Sequence, residues 1–377
     1  MKSLSDVRQC NITRFLLRLT VAVSLCSSTP SRAQDSPTVP CSWPVEVTGH
    51  GKTNAFNPDT DATYWLMPVN TTQWKQMIVA GEYSTARFFS FVTYFQRGGA
   101  VDSIIDANLA PNPGSSNPFQ PGSTAEIHHY TLTIDGNAAG SANHIRWGNT
   151  ELTYVVYRVY VPDMGKDREG GVALPAVTLL DANGTAYPTQ ICSSSTASLP
   201  STSLGPLPGL DVQSASGTSE SDATTPTSCS STPPSSDVVT FILNTSHGGV
   251  FPNPGTTYAA ARDLCSQSGR VIVIRGKAAV YPNTYYGGSI FQPAIPGALQ
   301  LRYWSLCNNK EVSPYPVVNC RADHDTRLDH SGYYTYVLVS DEFDTANLAP
   351  TWDSRHVTWL RWGDSSVIIR ILYSFTG

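Results

Sequence analysis

Arg87-Phe88-Phe89-Ser90 and Arg302-Tyr303-Trp304-Ser305 are the segments on which the reading of this chain turns. Further along, Arg146-Trp147-Gly148-Asn149 is echoed by Arg361-Trp362-Gly363-Asp364. The two pairs share one offset, since 302 − 87 and 361 − 146 both equal 215. Chance is a poor account of that, and the chain reads as a tandem duplication. Weaker echoes keep the same order: Phe56-Asn57-Pro58 against Phe251-Pro252-Asn253-Pro254, and Tyr130-Thr131-Leu132-Thr133 against Tyr334-Thr335-Tyr336-Val337. Ala107-Asn108-Leu109-Ala110-Pro111 also recurs as Ala346-Asn347-Leu348-Ala349-Pro350, but on the wrong side of the Tyr-Thr segment, and is discounted.

Between the halves, residues 193–236 are roughly two-thirds Ser, Thr or Pro. Such a stretch has too little apolar area to offset its chain entropy and reads as a disordered linker. It divides the chain into residues 41–192 and 237–377, each the size of a single domain. Residues 1–33 read as a secretory signal peptide: basic Lys2, Arg8 and Arg14, an apolar run from Phe15 to Leu25, then Ser31-Arg32-Ala33. That run is too short to span a bilayer, and no later segment reaches the necessary length. The expected location is secreted or periplasmic.

Beyond the leader stand Cys41, Cys192, Cys229, Cys265, Cys307 and Cys320, an even set in an exported chain. Disulfides are the default reading. Cys41 with Cys192 would staple the ends of the first half, Cys307 with Cys320 would close a short loop, and Cys229 would pair Cys265 by elimination. No C-x-x-C is present to suggest zinc or redox chemistry.

Charged residues form 14% of the chain and the net charge is −5. No basic face marks a nucleic-acid partner. With 18 Tyr and 8 Trp, the composition suits a β protein, and it suits contact with glycan or cell-envelope polymer, where an aromatic ring lies on the apolar face of a sugar.

Short β-branched and aromatic runs punctuated by Gly, Pro and Asn recur throughout. The fold class expected is all-β: two tandem, sequence-related β-sandwich, jelly-roll-like domains joined by the linker. Strands are expected at 87–96, 130–134, 152–161 and 172–180, and again at 238–244, 270–275, 299–306, 333–339, 356–360 and 366–373. Neither alternating face of Leu152–Val161 is cleanly polar, so that strand should be central and covered on both sides. A helix is expected over Thr256–Ser266, where Tyr258, Arg262 and Cys265 follow three-to-four spacing. Its counterpart would be Ala62–Met67, around Trp65.

The chain resembles a group of exported, mostly bacterial proteins of unknown function. The similarity rests on Arg302-Tyr303-Trp304-Ser305-Leu306-Cys307, on Asp329-His330-Ser331-Gly332-Tyr333-Tyr334-Thr335, and on Trp359-Leu360-Arg361-Trp362-Gly363. The first half resembles them at Tyr157-Arg158-Val159-Tyr160-Val161-Pro162-Asp163 and at Gly170-Gly171-Val172-Ala173-Leu174-Pro175. More distantly, both halves resemble tandem periplasmic jelly-roll domains that are themselves similar to glycan amidases. The resemblance implies a fold and a compartment, and no catalytic residues.

G-x-S-x-G, H-E-x-x-H and the P-loop are all missing from the sequence. The densest polar cluster is Asp323-His324-Asp325-Thr326-Arg327-Leu328-Asp329-His330. A solvated hairpin loop is the plain reading. Asp325 and Asp329 with His324 form the candidate acid–base set for a hydrolase acting on glycan bonds. Calcium held by Asp323, Asp325 and Asp329 is disfavoured, because the glycine and terminal glutamate of an EF-hand loop are missing, and no metal or cofactor is assigned. Arg87 and Arg302 read as repeated buried ion pairs or carbonyl clamps. Alternatively, Arg302 with Tyr303 and Trp304, and Arg87 with the rings around it and Trp65, form aromatic-lined ligand grooves. Glycan binding is the leading expectation and glycan hydrolysis the alternative.

Overall fold

The computed structural model describes residues 37–51, 53–137, 142–193, 238–244, 251–264, 271–311, 314–340, 356–362 and 367–374. Strands dominate, and no α-helix occurs among the described residues. The first half runs β1 (Val45–Thr48), β2 (Ala62–Asn70), β3 (Gln76–Glu82), β4 (Ala86–Phe95), β5 (Ala100–Ile105), β6 (His129–Asp135), β7 (His144–Arg146), β8 (Leu152–Pro162), β9 (Ala176–Leu180) and β10 (Ala186–Pro188). The second runs β11 (Ile242–Asn244), β12 (Thr256–Leu264), β13 (Ile272–Lys277), β14 (Tyr303–Lys310), β15 (Val317–Ala322), β16 (Tyr333–Val339), β17 (Val357–Arg361) and β18 (Val367–Ser374).

The halves share a strand order. An antiparallel sheet β1-β2-β8-β4-β5 has its counterpart in β11-β12-β18-β14-β15, and the run β3-β6-β7 in β13-β16-β17. Even the exception to antiparallel pairing recurs, because β6–β7 and β16–β17 are both parallel. After each of these parallel strands a Trp amide, Trp147 or Trp362, donates to a carbonyl at the end of the neighbouring strand, Asp135 or Val339. Gly81 in β3 lies opposite Tyr130 and Gly276 in β13 opposite Tyr334. A β-carbon at either glycine would collide with the facing tyrosine hydroxyl, so each glycine is what lets a tyrosine ring lie across the strand.

Burial explains why β4 and β8 are apolar on both faces. Alternate residues of β4, Phe89 and Phe91, enter a core shared with β3, β6 and β9, where Tyr157 is stacked between Phe91 at 4.8 Å and Trp65 at 5.5 Å. The intervening residues Phe88, Val92 and Tyr94 are also buried, in clusters completed by Tyr303, Ala322 and Phe251 of the second half. The sheet is thus covered twice, once by its own partner sheet and once by the other half. From Val39 onward the chain is one compact unit.

Thr256–Leu264 is a strand rather than the expected helix, and Ala62–Asn70 likewise. The Thr-Thr-Tyr-Ala-Ala-Ala-Arg-Asp-Leu sequence is compatible with a helix, but β12 is paired on one side to β11 and on the other to β18. Two ladders of backbone hydrogen bonds outweigh a propensity difference of about 0.7 kcal/mol per residue or less. The disulfides Cys41–Cys192 and Cys307–Cys320 are present, the latter joining directly paired residues of β14 and β15. Cys229 and Cys265 lie outside the described residues, as does the stretch 194–237.

The halves are joined by a reciprocal exchange of charge. Arg87 Nη1 donates to both oxygens of Asp323, at 2.8 and 2.9 Å, while Arg302 Nη1 and Nη2 donate to the two oxygens of Asp106, each at 3.0 Å. Each aspartate opens a three-residue 3₁₀ turn, Asp106–Asn108 or Asp323–Asp325. Each also accepts the amide of a β4 or β14 residue, Phe89 or Trp304. Arg302 further clamps the Arg87 carbonyl through Nε and Nη2. The loops before β2 and β12 repeat the exchange: the Phe56 amide donates to the Pro314 carbonyl, and the Phe251 amide to that of Gly98. Phe56 and Phe251 both adopt positive φ, 65° and 54°, and meet edge to face at 5.2 Å. A left-handed backbone at phenylalanine costs of order 1–3 kcal/mol, so both conformations depend on those contacts across the halves.

Because the ion pairs are buried and span the halves, removing one partner strands a charge. Asp323→Asn and Asp106→Asn are each expected to lose about 3–5 kcal/mol in urea unfolding followed by tryptophan fluorescence. The halves are expected to unfold in one transition. Two resolved transitions, or a loss under about 1 kcal/mol for both variants, would remove the exchange from its structural role.

Candidate functional site

Positions that match between the halves serve structure, and several that differ lie together in one place. Asp106-Ala107-Asn108 and Asp323-His324-Asp325 are matching 3₁₀ turns with the same flanking backbone conformations and the same aspartate-to-arginine pairing. The second turn alone carries a histidine and a further acid. The loop Phe56–Asp61 carries Asp59 and Asp61, whereas Phe251–Thr256 contains no carboxylate. Residues 83–85 connect β3 to β4, but residues 278–302 connect β13 to β14, and this longer segment brings Tyr285 and Tyr286 to the same spot.

The turn Asp323–Asp325 faces the Asp59–Asp61 loop across the seam between the halves. One ligand atom from each of Asp61, His324 and Asp325 falls within 4.8 Å of the others. Asp59 is fully buried and fixes the loop: its Oδ1 accepts the Asp61 amide at 2.9 Å, and its Oδ2 accepts the Tyr303 hydroxyl at 2.7 Å and the Ser305 hydroxyl at 2.5 Å. The His324 side chain is 2% exposed and its ring stacks on Tyr285 at 3.8 Å. Its Nε2 lies 3.8 Å from Asp325 Oδ1, while its Nδ1 lies 3.7 Å from Asp323 Oδ1 and makes no hydrogen bond. Asp325 reaches solvent, with its side chain 53% exposed. Tyr286 packs edge to face on Tyr285 and is itself exposed.

Burial pushes the Asp61 carboxyl up to about 7, with the neighbouring Asp59 and Asp325 carboxylates adding to the rise and His324 and the Thr60 hydroxyl opposing it. A carboxyl that titrates near neutrality beside a solvated carboxylate and an imidazole whose Nδ1 makes no hydrogen bond can donate, accept or relay a proton, or share a cation.

The expected site residues fall in three places. His324 and Asp325 lie in this cluster. Asp329 is engaged elsewhere: it accepts the Ser331 and Tyr333 amides in a tight turn and pairs with Arg275 at 2.6 Å. The backbone amide of Tyr333, then Arg275, hold its carboxyl down to about 2. Asp323 is buried against Arg87, so the aspartates 323, 325 and 329 do not converge as a calcium loop, and the acidic segment is not simply a solvated hairpin. Arg87, Arg302, Tyr303, Trp304 and Trp65 are all buried, and their rings and guanidinium groups are used in the cores and the seam. None offers a free ring face for a sugar. Asp61 went unrecognised from sequence, being remote from the acidic segment; the signal that finds it is the difference between the repeats.

A second grouping, Asp59 with Cys307 and Cys320, holds no ion, because both sulfurs are in the disulfide.

No known protein family matches the sequence, and no curated protein matches it. Solved structures that align with the chain include two distant ones. An uncharacterized protein from Burkholderia cenocepacia aligns over 86% of this chain and 76% of its own, with 12% identity and a TM-score of 0.49. The VPA0106 protein from Vibrio parahaemolyticus aligns over 86% and 87%, with 12% identity and a TM-score of 0.42. Both neighbours are bacterial and uncharacterised, and neither brings an activity.

Asp61 makes stability fall with rising pH. Its folded value, about 7, lies above its ordinary 3.8, so the folded state binds the proton more tightly. The contribution is fully present below about pH 4 and is lost as pH rises through about 7. In metal-free buffer, Asp61→Asn is therefore expected to be stabilised relative to the parent at pH 8 and not at pH 4, read from urea midpoints. Parallel midpoints for the two proteins across that range would contradict the assignment.

Proposed function

We propose that this is an exported protein built from two tandem jelly-roll-like domains, and that it engages glycan or cell-envelope polymer at the seam between them. The observation that carries the reading is the meeting of Asp61, His324 and Asp325 beneath Tyr285 and Tyr286, assembled from residues the repeats do not share. Carboxylates and imidazole hydrogen-bond sugar hydroxyls, and the exposed Tyr286 ring supplies an apolar face for a pyranose. Tyr286 is exposed and its ring stands 6.4 Å from that of His324. Two disulfides fit an oxidising compartment, and no helix among the described residues is long and apolar enough to cross a membrane.

Hydrolysis of a glycan or glycoconjugate bond is the second reading, favoured by the pairing of two acids: Asp61 and Asp325 present carboxyl oxygens within 4.8 Å of each other, close enough to serve one bond as acid and base.

A glycan array followed by titration of the bound class tests both. Binding is expected to weaken tenfold or more in Tyr286→Ala and Asp325→Asn, with circular dichroism unchanged. Turnover of the bound glycan that disappears in Asp61→Asn and Asp325→Asn would favour the hydrolase. Absence of binding across the array, or binding indifferent to both substitutions, would overturn the seam as a glycan site.

A further inference from the structure

We propose that Asp61, His324 and Asp325 bind a divalent transition cation of the zinc type. Three independent features of the seam support this. The first is the donor set, which places one imidazole nitrogen and two carboxylate oxygens within 4.8 Å of one another. The second is His324 itself. Its side chain is almost completely buried yet makes no hydrogen bond at Nδ1, and Tyr285 stacks on its ring at 3.8 Å and fixes its plane. Nε2 is the ring nitrogen that faces Asp325, 3.8 Å from its Oδ1, and is therefore the one placed to take a metal bond. The third is the position of Asp323, whose Oδ1 lies 3.7 Å from Nδ1. Metal-ligating histidines commonly hydrogen-bond their second nitrogen to a carboxylate, which sets the tautomer and raises ligand basicity, and Asp323 is the carboxylate that stands beside Nδ1 for that role.

The choice of ion follows from the donors. Calcium and magnesium prefer six or more oxygen ligands, whereas a mixed set of one imidazole and two carboxylates, with no thiolate, suits zinc. Three protein ligands leave a coordination position open, and the 53% exposed Asp325 puts it on the solvent side. The repeat comparison bears on the site as well. At the other end of the seam the corresponding residues are Thr256, Ala107 and Asn108, which do not form such a set, so one cation per chain is expected. The inference does not rest on glycan binding: a chain that takes zinc and no sugar leaves it intact.

The test is isothermal titration of the full chain, stripped with EDTA, with zinc chloride at pH 7.5. Calcium and magnesium chloride are titrated in parallel, and melting is followed by circular dichroism. Near-stoichiometric binding of one zinc is expected, with a rise in melting temperature that EDTA reverses. His324→Gln is expected to weaken binding at least tenfold. Asp325→Asn alters an exposed side chain, so it should fold normally and show the same loss. Zinc uptake unchanged in both variants would put the ion elsewhere and overturn the proposal. No saturable uptake by the parent, or calcium bound as tightly as zinc, would overturn it equally.

Discussion

Each half of this chain carries an arginine whose counter-charge belongs to the other half. Without those counter-charges, Arg87 and Arg302 would be cations held against aromatic rings of the opposite half, Tyr281 beside one, Phe88 and Phe119 beside the other. Burial alone raises the Asp106 carboxyl above its ordinary value, and Arg302 works against that rise. Neither charge is tolerable without its partner, so the exchange sets how the sheets β1-β2-β8-β4-β5 and β11-β12-β18-β14-β15 meet. The positive-φ phenylalanines, the Tyr303–Asp59 hydrogen bond and the apolar residues of β4 and β8 that face the other half all depend on that placement.

The seam also explains a composition that is unusual for two separate domains. A sandwich standing alone has one covered and one solvated face per sheet, and its strands alternate. Here β8 is buried along nearly its whole length, and Tyr154, Val156 and Tyr160 face residues of the other half while Val155, Tyr157 and Val159 face their own. The low content of charge follows, since fewer strand positions reach water.

The strand class, the central position of Leu152–Val161 and the pairing of Cys307 with Cys320 were legible because each depends on short-range pattern. The correspondence at offset 215 was legible too. The loop phenylalanines, 195 apart (251 − 56), gave a weaker echo, and other correspondences were hidden by changes of spacing: the strand glycines are 195 apart (276 − 81) and the aspartates of the 3₁₀ turns 217 (323 − 106). A fortuitous identity at Ala346-Asn347-Leu348 further masked the kinship of Asp106-Ala107-Asn108 with Asp323-His324-Asp325. The helix expected over Thr256–Ser266 failed because strand pairing is a long-range fact and the three-to-four spacing of Tyr258, Arg262 and Cys265 a local one. The buried rings near Arg302 looked like a ligand platform because sequence shows residue type and not which face is covered. Asp61 could be joined to Asp325 only through the fold.

The reciprocal contact has the form taken by two identical chains around a twofold axis, in which residue i of one touches residue j of the other and the reverse. In such a pair any site at the seam must appear twice, once at each end, and a change that improves one end alters both. Joined in a single chain, the two ends are free to part ways. One end of this seam carries a threonine, an alanine and an asparagine, and the other two acids, a histidine and a tyrosine-bearing loop. Covalent linkage of the halves is thus what makes an asymmetric chemistry compatible with a symmetric scaffold.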